Sequence, residues 1–278
     1  MHILVTNDDG VTAPGLMVLA QALRPFGSIS VVAPDHDWSG HGHTKHFKRP
    51  LRVQEIHLAD GSPAFVTDGS PADCVALAVM GLLPKKVDLV VSGINNAPNL
   101  GHDISYSGTV AAVKEANIWG VPGVAISLDV KRGQQAKPNY NLAAAVVCQV
   151  IQTMRQNHLP HDVFLNVNVP DLPTEQFQGI RLTRQGLRIY RDRLEKRRDP
   201  RGESYYWISG DAPTGVPLAG TDIGAIAQGY ASVTPLKLDQ TADDSLAWQA
   251  DWVWPMTGVR ESHGNGVMAR EITVNGEQ

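Results

Sequence analysis

The chain has 278 residues, 42% of them hydrophobic, with 24 Lys and Arg against 28 Asp and Glu. The net charge of -4 excludes a basic protein that holds nucleic acid through phosphate neutralisation alone, and the aliphatic content excludes a disordered chain. No secretory signal is recognisable, and no apolar run reaches the roughly 18 residues of a membrane span, so we expect a soluble cytoplasmic protein. The two cysteines, Cys74 and Cys148, are expected to be buried free thiols.

Strands and helices are predicted to alternate through residues 1–185. Short Val- and Ile-rich runs that end in Asn, Pro or Gly predict buried strands at 3–6, 29–33, 87–92, 121–127 and 162–169. Helical spacing predicts helices at 15–24, 71–83, 107–119 and 141–158. The alternation predicts an α/β fold with a doubly wound, mostly parallel, Rossmann-like sheet.

The character of the sequence changes after residue 185. Residues 186–210 join a dense run of Arg and Lys to Tyr205, Tyr206 and Trp207, which predicts an exposed hairpin arm. A returning strand is predicted at 231–238 and an amphipathic helix at 243–254. We therefore divide the chain into a Rossmann-like domain at 1–185, a C-terminal extension at 186–257 and a weakly ordered tail at 258–278.

Ligands of open α/β sheets bind beyond the carboxyl ends of the strands, so the residues after each strand are the candidate site. Asp8 and Asp9 follow the first strand. Adjacent carboxylates repel each other unless a cation compensates them, and hard oxygen ligands suit Mg²⁺, Mn²⁺ or Ca²⁺. The alternative interpretation is a plain Asp-Asp-Gly turn.

The second strand is followed by Ser39 and Gly40, small residues that let backbone amides approach an anion. His41, His43 and His46 come directly after them. These histidines are candidate zinc ligands, but we favour the interpretation that they are polar side chains on a mobile active-site loop.

The third strand is followed by three asparagines between residues 95 and 99, of which Asn95 and Asn99 are the ends. Their amides offer oxygen to a metal and donors to a phosphate, or they form an Asn-rich turn. Ser107, Gly108 and Thr109 then open a helix, where free amides, hydroxyls and the helix dipole favour an anion. A simple serine cap is the alternative.

Several reaction classes are excluded by missing motifs. The sequence has no Gly-x4-Gly-Lys-Ser/Thr phosphate loop, no His-Glu-x-x-His and no Gly-x-Ser-x-Gly. An aspartyl-phosphate phosphatase needs a second Asp two residues after the first, but Gly10 stands there after Asp8. The two aspartates are therefore interpreted as ligands and not as covalent nucleophiles.

Taken together, these segments resemble the SurE (survival protein E) family of metal-dependent nucleoside monophosphate phosphatases. The resemblance rests on segments that occur in the family's order: ILVTNDDG at 3–10, SG at 39–40, DGSPADCV at 68–75, VSGIN at 91–95, NLG at 99–101, YSGTV at 106–110, DPRG at 199–202, YW at 206–207, GY at 229–230 and TPL at 234–236.

The resemblance implies a set of site residues. The family's metal-ligand positions fall on Asp8, Asp9, Ser39 and Asn95. Its phosphate-contact positions fall on Asn99, Ser107, Gly108 and Thr109, and we add Ser39 to the substrate-binding residues. The catalytic residues are then expected to be Asp8, Asp9, Asn95 and Ser107, with one divalent cation per subunit, Mg²⁺ or Mn²⁺.

The resemblance also implies hydrolysis of nucleoside 5′- and 3′-monophosphates to nucleoside and phosphate, and sometimes of short polyphosphate. Homodimers or homotetramers are implied, held by exchange of C-terminal arms within 186–257, with no nucleic-acid polymer or membrane as partner. Two alternatives remain. One is a catalytically silent sensor of nucleotides or sugar phosphates, and the other is a zinc hydrolase of a non-phosphate substrate that uses His41, His43 and His46.

Overall fold

A computed structural model describes residues 1–130, 137–157 and 159–241. The described residues form thirteen strands and five α-helices. The first part of the chain contains β1 (His2–Thr6), α1 (Pro14–Leu23), β2 (Ser28–Pro34), β3 (Val53–His57), β4 (Pro63–Thr67), α2 (Pro71–Leu77), β5 (Leu89–Asn95), α3 (Gly108–Ile118), β6 (Gly123–Asp129), α4 (Tyr140–Gln156) and β7 (Val163–Pro170). The remainder contains β8 (Ile180–Leu182), β9 (Arg188–Ile189), β10 (Asp192–Arg198), β11 (Ser204–Gly210), β12 (Thr214–Gly215), α5 (Asp222–Ala227) and β13 (Ala231–Lys237).

Nine of these strands form one sheet in the order β3-β4-β2-β1-β5-β6-β7-β13-β8. The six central strands, β4 to β7 in this order, are parallel, whereas β3 and β13 run antiparallel to their inner neighbours. The predicted α/β fold with a doubly wound, mostly parallel sheet is confirmed.

Both faces of the sheet are covered by helices. Ile3 and Val5 of β1 lie in one apolar cluster with α1 and α4, while Leu4, between them, lies in the other cluster with α2 and α3. Successive side chains of a strand point to opposite faces, so a strand covered on both sides must be apolar at every position. This explains the continuous aliphatic runs that predicted the strands.

The strand order places a topological switch point beside β1. From β1 the chain moves outward to β2 on one side, and it later returns to form β5 on the other, with Thr6 beside Ser92. Ligands bind at the carboxyl ends of strands where the order reverses in this way. The residues after β1, β2 and β5 therefore meet at one edge.

Some predicted elements needed correction. The helix predicted at 71–83 ends as an α-helix at Leu77, and a π-type turn, Ala78–Leu82, follows with Gly81 at φ 124°. A residue with a Cβ is strained at that φ, so glycine permits the change of chain direction. The antiparallel pair β3–β4 and helix α5 were not predicted, because these short segments mix buried and exposed positions without a clear period.

The C-terminal extension is described as far as residue 241. The predicted hairpin is present as β10 paired with β11, and almost all of its side chains are exposed. The returning strand is β13, whereas the predicted helix at 243–254 and the tail at 258–278 lie outside the described residues.

Cys74 is buried, Cys148 is partly buried, and both thiols are free. Among the described helices, none has the length and apolar character that crossing a bilayer requires.

Candidate active site

Asp8 lies at the centre of the site, with its side chain against the N-terminus of α3. Only 3% of Asp8 is exposed, and its Oδ1 accepts a hydrogen bond of 2.6 Å from the hydroxyl of Thr109. A Cβ on Gly108 would lie 2.7 Å from the Cβ of Asp8 and 2.9 Å from Oδ2. Only glycine therefore fits between this carboxylate and the helix.

The two adjacent carboxylates are held in an environment that disfavours their charge. Burial raises the pKa of Asp8, while hydrogen bonds from Thr109 act in the opposite direction. Burial, followed by the charges of Asp8 and Asp37, raises the pKa of Asp9 to about 7, against one backbone hydrogen bond from Asn96. Such a pair is stable as dianion only when positive charge is brought to it.

No Lys or Arg supplies that charge in the described part of the chain, where the ion pairs leave Asp8, Asp9 and Asp37 without a cationic partner. Nor do residues 1–130, 137–157 and 159–241 contain a cluster of three or more His, Cys, Asp or Glu suited to a metal. A cation at this site would need hydroxyl and amide oxygens beside the carboxylates. That donor chemistry fits a hard divalent ion.

The loop after β2 brings Ser39 toward the carboxylates. The N–H of Trp38 donates to the carbonyl of Asp8 at 2.8 Å, which fastens the loop to the end of β1. Ser39 donates to Oδ1 of Asp37 from both its N–H, at 2.7 Å, and its hydroxyl, at 2.5 Å. Asp37 therefore adds a third carboxylate that sequence reasoning missed, although its position shortly after a predicted strand was a usable signal.

The three histidines after Ser39 face different partners. His43 Nε2 lies 2.9 Å from Oε2 of Glu115, and His46 Nδ1 lies 2.6 Å from Oδ2 of Asp73. The Nδ1 of His41 faces the carbonyl oxygens of Trp38 and Ser39. Because the rings do not converge, the zinc hypothesis for these histidines is not supported. They tether the loop instead.

Asn95 ends β5 and Asn99 lies in the loop that follows, and both are buried. The NH₂ group of Asn95 donates to the carbonyl of Ala97 at 2.6 Å, so Oδ1 is the atom that the amide can offer to a cation. The NH₂ group of Asn99 donates to the hydroxyl of Ser127 at 2.7 Å.

Ser107 is the N-cap of α3, since its hydroxyl accepts from the N–H of Val110 at 3.1 Å. The expected cap is thus present, and its O–H remains a donor. Thr109 directs its own hydroxyl to Asp8. The structure thus brings Asp8, Gly108 and Thr109 into direct contact. Ser39 instead donates to Asp37, and the negative charge of Asp37 raises the pKa of both Asp8 and Asp9.

Comparisons with known proteins identify the family of this chain. The family model "Survival protein SurE" matches residues 3–192. A "5'-nucleotidase SurE" of Chloroflexus aggregans is 49% identical over 255 residues, covering 91% of this chain and 100% of that protein. A second, of Geobacter sulfurreducens, is 48% identical and covers 91% and 94% of the two chains. The crystal structure of the SurE protein from Aquifex aeolicus has a TM-score of 0.75 at 39% identity, covering 90% of this chain and 100% of that one. This chain belongs to the SurE family.

Proposed function

We propose that this chain is a divalent-metal-dependent 5′-nucleotidase, which hydrolyses nucleoside monophosphates to nucleoside and phosphate. The observation that carries the proposal is the pair Asp8 and Asp9, which lies at the switch point of the sheet, lacks a cationic side chain in the described residues and abuts the N-terminus of α3. The family relatives that bear the name 5′-nucleotidase support the substrate class.

The cation-binding residues are proposed to be Asp8, Asp9, Ser39 and Asn95, with one Mg²⁺ or Mn²⁺ per subunit. Two carboxylates, a hydroxyl and an amide oxygen form a hard donor set that leaves room for water and a phosphate oxygen. When bound, the cation neutralises the phosphate ester and makes a bound water more acidic. Asp37 orients Ser39 for cation binding, because it accepts hydrogen bonds from the hydroxyl and the N–H of Ser39.

The phosphate-binding residues are proposed to be Asn99, Ser107, Gly108 and Thr109. The N-terminus of α3 carries partial positive charge and free N–H groups, which favour an anion. The hydroxyl of Ser107 can donate to a phosphate oxygen while it accepts from Val110. Donors placed in this way stabilise charge that grows on the phosphoryl oxygens. Asp9 is the candidate that takes the proton of the attacking water.

The same site is proposed to accept nucleoside 3′-monophosphates and short polyphosphate, as the resemblance to the SurE family implies. The enzyme is proposed to act in the cytoplasm as a homodimer or homotetramer, with residues 186–257 exchanged between subunits. Exposed aromatic residues on β11, with Trp207 at 59% exposure, suit such an interface. Deletion of residues 187–207 should give monomers in light scattering, and a monomeric intact protein would contradict the assembly.

Phosphate release from a panel of nucleoside 5′- and 3′-monophosphates, with Mn²⁺ present, tests the proposed function. Sugar phosphates of similar size serve as the control substrates. We expect turnover of the nucleotides and much slower turnover of the sugar phosphates. Tight nucleotide binding without any release of phosphate would favour a silent nucleotide sensor instead.

A further inference from the structure

The loop between β5 and α3 is held by side chains and not by a backbone ladder. At Asn99, the N–H donates to Oδ1 of Asn168 at 2.7 Å, and the carbonyl accepts from Nδ2 of Asn168 at 3.1 Å. The same carbonyl also accepts from Nδ2 of Asn166 at 2.8 Å. One amide side chain thus pairs with both polar backbone groups of Asn99, as a neighbouring strand would.

Two residues further on, Gly101 is fixed in the same manner. Its N–H donates to Oδ2 of Asp222 and its carbonyl accepts from Nε2 of Gln185, both at 2.8 Å. The other oxygen of Asp222 accepts from the N–H groups of Gly186, at 2.8 Å, and Ile223, at 2.7 Å. Gly101 has φ 53°, and a Cβ there would lie 2.8 Å from the carbonyl oxygen of Gly186, so the backbones approach closely.

These side chains are costly to bury. Asn166 and Asn168 of β7, and Asp222 of α5, are all 0% exposed. A buried amide or carboxylate destabilises a fold unless its polar atoms are paired, and within the described residues Oδ1 of Asn166 has no partner. Valine at the two β7 positions would suit an interior strand better. The presence of Asn166 and Asn168 on one face of β7 is explained if these side chains hold the loop between β5 and α3.

We propose that Asn166 and Asn168 form a clamp, hereafter the amide clamp, and that they and Asp222 are positioning residues for phosphate binding. The inference rests on the proposed function. The amide clamp fixes Asn99, and Asp222 fixes Gly101, relative to the sheet, and the short chain from Gly101 to Ser107 then has little freedom. The amide clamp therefore sets where the N-terminus of α3 and the side chain of Asn99 meet the phosphoryl group.

The location of the clamp predicts a selective effect. Asp8, Asp9 and Ser39 follow β1 and β2, and Asn95 ends β5. Among the described residues, no hydrogen bond joins any of these four proposed ligands to Asn166 or Asn168. A loosened clamp should weaken phosphate binding while cation binding at the aspartate pair is retained. A residue that merely stabilised the fold would affect both.

The test variant is Asn168→Asp, which keeps the shape of the side chain but replaces the donor to the Asn99 carbonyl by an oxygen. Asn117→Asp is the matched control, because Asn117 is also a buried asparagine that donates to a backbone carbonyl, that of His161, at 2.8 Å. Three readouts are compared: KM and kcat for 5′-AMP, the inhibition constant of inorganic phosphate, and the Mn²⁺ dissociation constant from water-proton relaxation.

For Asn168→Asp we expect KM and the inhibition constant of phosphate to rise by about tenfold or more, with the Mn²⁺ constant changed by less than about twofold. Asn117→Asp should leave all three within about twofold of the wild type. Equal changes in the two variants, or a parallel loss of Mn²⁺ binding in Asn168→Asp, would overturn the clamp's role. If Asn168→Asp does not fold, Asn168→Ser replaces it with the same criteria.

Hydrogen exchange of peptides that span residues 99–101 provides a readout that needs no turnover. Faster exchange there in Asn168→Asp, but not in Asn117→Asp, is the expected result, and unchanged exchange would overturn the clamp. If the wild type hydrolyses no nucleotide, the proposed function fails separately. In that case, hydrogen exchange of residues 99–101 and calorimetric binding of inorganic phosphate in the presence of Mn²⁺ test the amide clamp. Wild-type protein that binds no phosphate would overturn the clamp's role in phosphate binding.

Discussion

Two loops converge on the aspartate pair, and they are held in place by different chemistry. The first, the Ser39 loop (residues 38–46), is tied down by two buried carboxylates, since Glu115 contacts His43 and Lys45 and Asp73 contacts His46. The second, the phosphate loop (residues 96–107), is held at Asn99 by the neutral amides of the clamp, and further on by the carboxylate of Asp222 at Gly101 and by the Asp103–Arg188 pair. Carboxylates titrate whereas amides do not, so the contacts of the Ser39 loop and the contact at Asn99 should differ in their response to pH.

Glu115 is the centre of the charged tether. Burial raises the pKa of Glu115, but hydrogen bonds from His43, Lys45 and Trp119 outweigh burial and lower the pKa to about 2. Glu115 lies on α3, the helix whose N-terminus carries Ser107. One helix therefore presents the proposed phosphate donors at its start and anchors the Ser39 loop further along.

The largest expected effect separates the serines of the two loops. Ser107→Ala removes a donor to the phosphoryl group, and the loss of one such donor lowers kcat by about 10²–10³. Mn²⁺ binding should remain, because Ser107 is not a proposed ligand. Ser39→Ala should instead weaken Mn²⁺ binding. Steady-state kinetics with Mn²⁺ titrations distinguishes the two outcomes, and a reduced melting temperature with unchanged kcat for Ser107→Ala would leave only the helix cap.

Removal of the charged tether should destabilise the fold. Glu115→Ala leaves His43, Lys45 and the indole N–H of Trp119 without their acceptor, and the free energy of unfolding at neutral pH should fall by about 3 kcal/mol. Urea unfolding measures this change. Glu55→Ala, at an exposed position of β3, is the control and should change stability by less than about 0.5 kcal/mol. Similar values for the two variants would show that the tether contributes little.

The pH dependence of stability should distinguish the tethers. The pKa of Glu115 is about 2 in the fold, against an ordinary value of 4.5. Between these two values the unfolded chain binds more protons, so the tether's contribution is present above pH 4.5 and is lost as pH falls toward 2. The difference in free energy of unfolding between wild type and Glu115→Gln should therefore become smaller as pH falls from 4.5 toward 2.

The amide clamp supplies the comparison for that experiment. The difference between wild type and Asn168→Ser should be nearly constant over the same acidic range, because neither side chain titrates. Parallel pH profiles for Glu115→Gln and Asn168→Ser would contradict the division into a charged and a neutral tether.

The smallest effect is expected at the exposed pair beyond the Ser39 loop. Arg49 lies 2.8 Å from Asp68, but both side chains are about one third exposed. Exposed pairs contribute about 0–1 kcal/mol, so Arg49→Ala should change the free energy of unfolding by less than about 1 kcal/mol. A larger change in urea unfolding would mean that the loop depends on surface pairs as well as on the buried Glu115.

The sequence was sufficient for five of the six parallel strands, because a strand that is buried on both faces needs an unbroken aliphatic run such as that of β1. It also placed Asp8 and Asp9 at a strand end, where the chemistry of paired carboxylates is visible locally.

What the sequence did not reveal depends on contacts between distant residues. Asn168 meets Asn99 across 69 positions, and Asp222 meets Gly101 across 121. No spacing rule connects such residues until the sheet order is known. The partners of His43 and His46 could not be predicted for the same reason, since they come from α3 and α2.

The central claim is that the aspartate pair holds a divalent cation for phosphate-ester hydrolysis, and phosphate release from 5′-AMP tests it most directly. Wild-type activity should disappear with EDTA and return with Mn²⁺ or Mg²⁺. Asp9→Asn should stay folded, because loss of one charge relieves repulsion with Asp8, yet should lose most activity at every metal concentration. Full turnover in the presence of chelator, or an active Asp9→Asn variant, would contradict the account.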